Sequence, residues 1–189
     1  MALAGYQQKD SVVVVYTGEG KGKTSAGLGL LVRALGSGWN CLFVQFMKAW
    51  EVGEDSFFEQ VGKIYEHQLT YYKGGQGFYN LGDLSEQGIT EEQHRQAAQT
   101  TYSYALEASE SGDFELIVCD EINVTVQVGL LTPKQLQLLI KNRDAKTSLC
   151  LTGRGFPEKL LDDVDIATNM TKLKHHFDDK FLANPGIDY

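Results

Sequence analysis

Seven consecutive residues, Gly18-Glu19-Gly20-Lys21-Gly22-Lys23-Thr24, follow an apolar run and precede a helical pattern. Their glycines let successive backbone N–H groups turn inward around an anion, and a helix starting at Lys23 adds its positive end. Lys23 would bring a mobile cation to phosphates, and Thr24 would offer its hydroxyl to Mg²⁺. The seven residues describe a nucleotide-phosphate cradle. The spacing departs from G-x-x-x-x-G-K-[ST]: three residues separate Gly18 from Gly22, and Thr17 stands at the first-glycine position, so the loop is a shortened variant. A second set lies downstream, where Asp120 and Glu121 end the apolar run Leu116 to Cys119. Acids at the tip of a buried strand project from the carboxyl edge of a sheet, where open α/β folds bind ligands. Their oxygens suit Mg²⁺, one acid binding the ion directly and the other through water.

The elements that must position these groups follow from periodicity. Val12 to Tyr16 reads as a strand buried on both faces, and Leu28, Leu31, Val32 and Leu35 give a helix from Lys23 to Leu35, closed by Gly36. Further strands are expected at Cys41 to Phe46, Ile64 to Leu69, Leu116 to Cys119, Ser148 to Thr152 and Ile166 to Met170. Thr90 with Gln93 forms a capping box for a helix reaching about Ser109, Pro133 opens a helix through Ile140, and Pro157 starts a short one. The five glycines between Lys73 and Gly88 predict a long loop of the functional kind. Strands alternating with helices predict the α/β class, a mainly parallel sheet with helices on both faces. With the phosphate loop after the first strand, the expected architecture is that of the P-loop NTPases, of the RecA-like type.

Length and charge narrow the function classes. A chain of 189 residues suits one domain over 1–189, with residues 1–11 a short N-terminal extension. A formal net charge of -8 argues against a phosphate-backbone footprint, so no nucleic-acid partner is expected. Cys41, Cys119 and Cys150 each lie in an apolar run and read as core thiols. Met1 to Lys9 lacks the pattern of a secretory leader, and no window reaches the roughly 18 apolar residues of a membrane span, which predicts a cytoplasmic protein. His67, His94, His175 and His176 are not spaced as metal ligands.

The motifs, taken together, resemble the P-loop ATP:cob(I)alamin (corrinoid) adenosyltransferases. The likeness runs from Val12 to Tyr189 and rests on the Thr17-to-Thr24 loop, Arg33-Ala34-Leu35-Gly36, Val44-Gln45-Phe46-Met47-Lys48 and Gly53-Glu54. It continues through Gly77-Phe78, Cys119-Asp120-Glu121, Leu151-Thr152-Gly153-Arg154-Gly155, Lys174-His175-His176-Phe177 and the closing Gly186-Ile187-Asp188-Tyr189. The resemblance implies transfer of the 5′-deoxyadenosyl group from ATP to a corrinoid cobalt in the Co(I) state, releasing triphosphate. ATP would lie in the reverse sense along the loop, leaving C5′ open to the metal.

By motif matching, Glu121 falls on the family's magnesium-ligating glutamate and Thr24 on its hydroxyl ligand, while Arg33 and Arg154 match arginines near the nucleotide. Related enzymes crowd the corrin with a G-F-x-W segment; here it reads Gly77-Phe78-Tyr79-Asn80, so Phe78 and Tyr79 become the candidate corrinoid residues within the 73–88 loop. The longer N-terminal lid of some relatives is expected to be shortened here. The likeness also implies a homodimer and a flavoprotein reductase as the electron source. Two other readings use the same residues: a P-loop kinase or ATPase acting at the γ-phosphate, and a non-catalytic nucleotide- or corrinoid-binding module.

Overall fold

The computed structural model describes residues 5–48, 52–75, 77 and 89–189. Among them, six strands form one parallel sheet: β1 (Val13–Thr17), β2 (Cys41–Gln45), β3 (Leu69–Lys73), β4 (Leu116–Asp120), β5 (Ser148–Thr152) and β6 (Ile166–Asn169), in the order β3-β2-β4-β5-β1-β6. The three central strands β2, β4 and β5 are buried at every position, which explains their unbroken apolar character: a parallel sheet covered on both sides has no wet face.

Alternation along those strands sends side chains to two separate cores. Leu42, Val44, Ile117, Cys119, Leu149 and Leu151 pack beneath α3 (Glu91–Ser111), α4 (Ile122–Gln127) and α5 (Pro133–Asn142), against Tyr102, Ala105, Ile122, Leu136 and Leu139. Cys41, Phe43, Leu116, Val118 and Cys150 pack on the opposite face beneath α1 (Lys23–Gly36) and α2 (Gly53–Ile64), against Leu31, Leu35 and Phe58. The expected helices on both faces are present, and the capping box at Thr90 is made: Gln93 N–H donates to Thr90 Oγ1 at 3.2 Å.

Two local expectations are corrected. The strand expected at Ile64 to Leu69 is instead the end of α2, a turn and the first residue of β3. Glu66, His67 and Gln68 are too polar for a covered strand, and the aromatic Leu69–Lys73 run that follows pairs with β2. Helix α2 itself was not anticipated. It is closed at its start by Asp55, whose Oδ2 accepts from Val52 N–H at 2.9 Å, and its Phe58 is buried. Most of the expected 73–88 loop, including Phe78, Tyr79 and Asn80, lies outside the described residues.

Candidate active site

Register brings the polar ends of the strands to one edge. Gln45 pairs with Asp120 across β2 and β4, and Tyr16 with Thr152 across β1 and β5. Three largely apolar strands thus each finish in a buried polar residue, Gln45, Asp120 and Thr152. Thr152 organises the acids: its hydroxyl donates to Asp120 Oδ1 at 2.7 Å and accepts the Glu121 backbone N–H at 3.0 Å. Lys48 lies on the other side, its ammonium 3.3 Å from Asp120 Oδ2, and Gln45 Nε2 approaches the same oxygen at 3.5 Å. Glu121 takes a left-handed conformation, φ 63°, as the chain turns from β4 into α4.

The phosphate loop joins this edge between β1 and α1. Lys23 is buried, and its ammonium donates to the carbonyls of Gly18 at 2.9 Å and Gly20 at 2.5 Å. Burial lowers its basicity, while Glu121, Glu19 and Asp120 work the other way. The loop cation and the acid pair therefore share one electrostatic field. Burial, and next the charge of Asp120, push the Glu121 carboxyl up to about 7, against the pull of Lys48, Lys23 and Arg154. For Lys48, burial is outweighed by Asp120, Glu121 and Glu54, which hold its ammonium above the ordinary lysine value.

Of the residues singled out by sequence, the fold gathers the loop 18–24, Asp120, Glu121 and Arg154 at this edge. Arg154 pairs with Glu19 of the loop at 3.0 Å. Lys21 turns outward, its ammonium paired with Asp188 near the end of the chain. Arg33 is not brought to the loop: it lies exposed in the last turn of α1, about 15 Å along the helix from Lys23. There it suits the negative helix end. Thr152, Lys48 and Gln45 were missed as individual participants, although a polar residue closing each apolar strand was a visible signal.

Other chemistry is limited among the described residues. They contain no group of three or more His, Cys, Asp or Glu side chains able to hold a metal ion. The three cysteines are buried and free; burial, above all, pushes the thiols of Cys41 and Cys119 up to about 12 and that of Cys150 higher still. No described helix is long and apolar enough to cross a membrane. A groove of about 400 Å³ opens beyond β3, lined by Tyr72, Lys73, Gly74, Gly75, Gln93 and Ala97 among others.

Comparisons with known proteins bear on the fold and the family. In fold, 90% of the chain matches 77% of a KaiC-like protein, PH0186, from Pyrococcus horikoshii OT3, with a TM-score of 0.55 at 16% identity. In sequence, the chain is 30% identical over 188 residues to a corrinoid adenosyltransferase of Pseudomonas aeruginosa, covering 99% of this chain and 88% of that protein. It is 28% identical over 193 residues to corrinoid adenosyltransferase CobA of Salmonella typhimurium, covering 99% and 90%. The profile described as ATP:corrinoid adenosyltransferase BtuR/CobO/CobP matches residues 9–189, so the chain belongs to that family.

Proposed function

We propose that the protein transfers the 5′-deoxyadenosyl group of ATP to the Co(I) centre of a corrinoid. The electron pair of Co(I) forms the Co–C bond to C5′, the C5′–O bond breaks, and triphosphate leaves. The observation that carries this reading is the convergence of a buried loop lysine with the buried Asp120 and the half-buried Glu121 at the carboxyl edge, in a chain of this family. Such a site supplies position and charge, which suits a reaction whose nucleophile is the second substrate.

In this reading the loop amides of Gly18, Glu19, Lys21 and Gly22 and the ammonium of Lys23 hold the triphosphate, whereas the Gly20 N–H is already engaged by the Met170 carbonyl. Lys23 gives up its two carbonyl partners for phosphate oxygens, and Arg154, beside Glu19, adds a further cation. These groups offset the negative charge that grows as the C5′–O bond lengthens. Thr24, Asp120 and Glu121 would hold Mg²⁺, which when bound neutralises part of the triphosphate charge. The fit rests on two carboxylates set side by side at one strand end: burial first, and the charge of Asp120 after it, raise the Glu121 carboxyl, and a divalent cation would relieve that cost. Thr152 and Lys48 orient Asp120 for that task.

On the corrinoid side we assign Phe78 and Tyr79 to the face of the corrin. We further propose that residues 1–189 act as one nucleotide-binding domain, as a homodimer in the cytoplasm, with a flavoprotein reductase supplying the electron that makes Co(I). Family likeness supports these assignments.

Incubating the protein with Mg-ATP and chemically reduced cobalamin tests the activity. Appearance of the alkylcobalt spectrum with one triphosphate per cobalt is expected. ADP and phosphate without an alkylcobalt product would overturn it.

A further inference from the structure

The closing Gly186-Ile187-Asp188-Tyr189 motif has no part in the chemistry above, yet the fold lays it against the phosphate loop. After β6 the chain runs directly over the loop: Met170 N–H donates to Thr17 carbonyl at 2.7 Å, and Gly20 N–H donates to Met170 carbonyl at 2.6 Å. The approach is close enough to require glycine. A Cβ on Gly18, whose φ is +101°, would lie 2.1 Å from Asn169 Oδ1, and one on Gly20 would lie 2.7 Å from Met170 carbonyl oxygen.

Residues 184–189 then fold into a turn, with Asn184 N–H donating to Asp188 Oδ2 at 2.8 Å and Asp188 N–H to Asn184 carbonyl at 2.8 Å. The turn buries one carboxylate. The Asp188 side chain is 3% exposed, paired with the Lys21 ammonium and 3.4 Å from His176 Nε2, although neighbouring Ile187 is 81% exposed. Tyr189 reaches the start of α2, its carbonyl carbon 3.9 Å from where a Cβ on Gly53 would stand. The segment therefore spans from the loop to α2 along the edge that carries the acids.

A buried carboxylate does not readily release its lysine, because only the Asn184 N–H and His176 Nε2 would remain to offset the charge. Lys21 is consequently fastened to the closing segment and is withheld from the polyphosphate, which meets Lys23 instead. We propose that Asp188 is a positioning residue for ATP: through Lys21 it clamps segment 170–189 onto the phosphate loop and holds the Gly18–Lys21 turn in the shape that receives triphosphate. This rests on the reading that the loop binds ATP.

Calorimetric titration of ATP into the wild-type chain, D188N, K21D and the K21D/D188K charge swap tests it, with turnover on reduced cobalamin followed in parallel. D188N and K21D are each expected to weaken ATP binding about tenfold. For D188N, kcat at saturating ATP should change less than about twofold, a loss confined to KM. The swap should recover affinity to within about threefold of wild type, since the pair is restored in reverse. Wild-type affinity in D188N overturns the proposal, and so does a swap that binds worse than either single variant, which would put the Lys21 ammonium on phosphate. A wild-type chain that binds no ATP marks instead the failure of the functional reading. Should D188N not fold, the swap and K21D decide by the same comparison.

Discussion

At the scale of single residues, the proposed function separates groups that would meet substrate from groups that would aim them. Lys23 belongs to the first kind and Thr152 to the second. One hydroxyl serves both acids, donating to Asp120 and accepting from the Glu121 backbone, at a position with no solvent exposure. Thr152→Val keeps the shape and removes both bonds, leaving a buried acceptor and a buried N–H without partners. The expected cost is about 2 kcal/mol in a denaturant melt, with a rise in the Mg²⁺ concentration that half-activates turnover. An unchanged Mg²⁺ requirement would mean that the acids hold their own orientation. Glycine spacing and strand-end acids were legible because they are chemical types in sequence order. Thr152 and Asp188 were not, because their meaning depends on partners 32 and 167 positions away.

Among the elements, strands were read more securely than the link between β2 and β3. The covered strands announce themselves by unbroken apolar runs, whereas α2 buries only Phe58 outright and offers a weak helical signal. Its start is secured by Asp55, which accepts from Val52 N–H, from Tyr71 hydroxyl at 2.6 Å and from Lys73 ammonium at 2.7 Å. Burial by itself would raise this carboxyl, but the hydrogen bonds from Lys73, Tyr71 and Val52 outweigh it and hold the group below the usual aspartate value. A group with a depressed folded-state pKa stabilises the fold above its unfolded value, near 4, and loses that contribution as pH falls through the lower folded value. Wild type should therefore lose stability below about pH 4 more steeply than Asp55→Asn, and the variant should be about 1 kcal/mol less stable at pH 7. Melting curves at pH 3 and pH 7 measure both.

For the whole molecule, class was legible and strand order was not. Alternation of strands and helices implies a parallel sheet covered twice, but nothing local says that β1 sits between β5 and β6, since pairing is settled by contacts more than 100 residues apart. The two cores do not share side chains, so the sheet joins them only through its backbone and alternating pleat. Leu139 of α5 is completely buried in one of them. Leu139→Ala should lower stability by about 3 kcal/mol while leaving ATP affinity unchanged, as measured by chemical denaturation and calorimetry.

The crossing of Met170 over Gly18 and Gly20 bears on which residues the loop can carry. A side chain at Gly18 would run into Asn169 and the Met170 backbone, and one at Gly20 into the backbone of Met170 and Thr171. Composition here is thus dictated from outside the loop: the chain leaving β6 keeps these two positions bare of side chains.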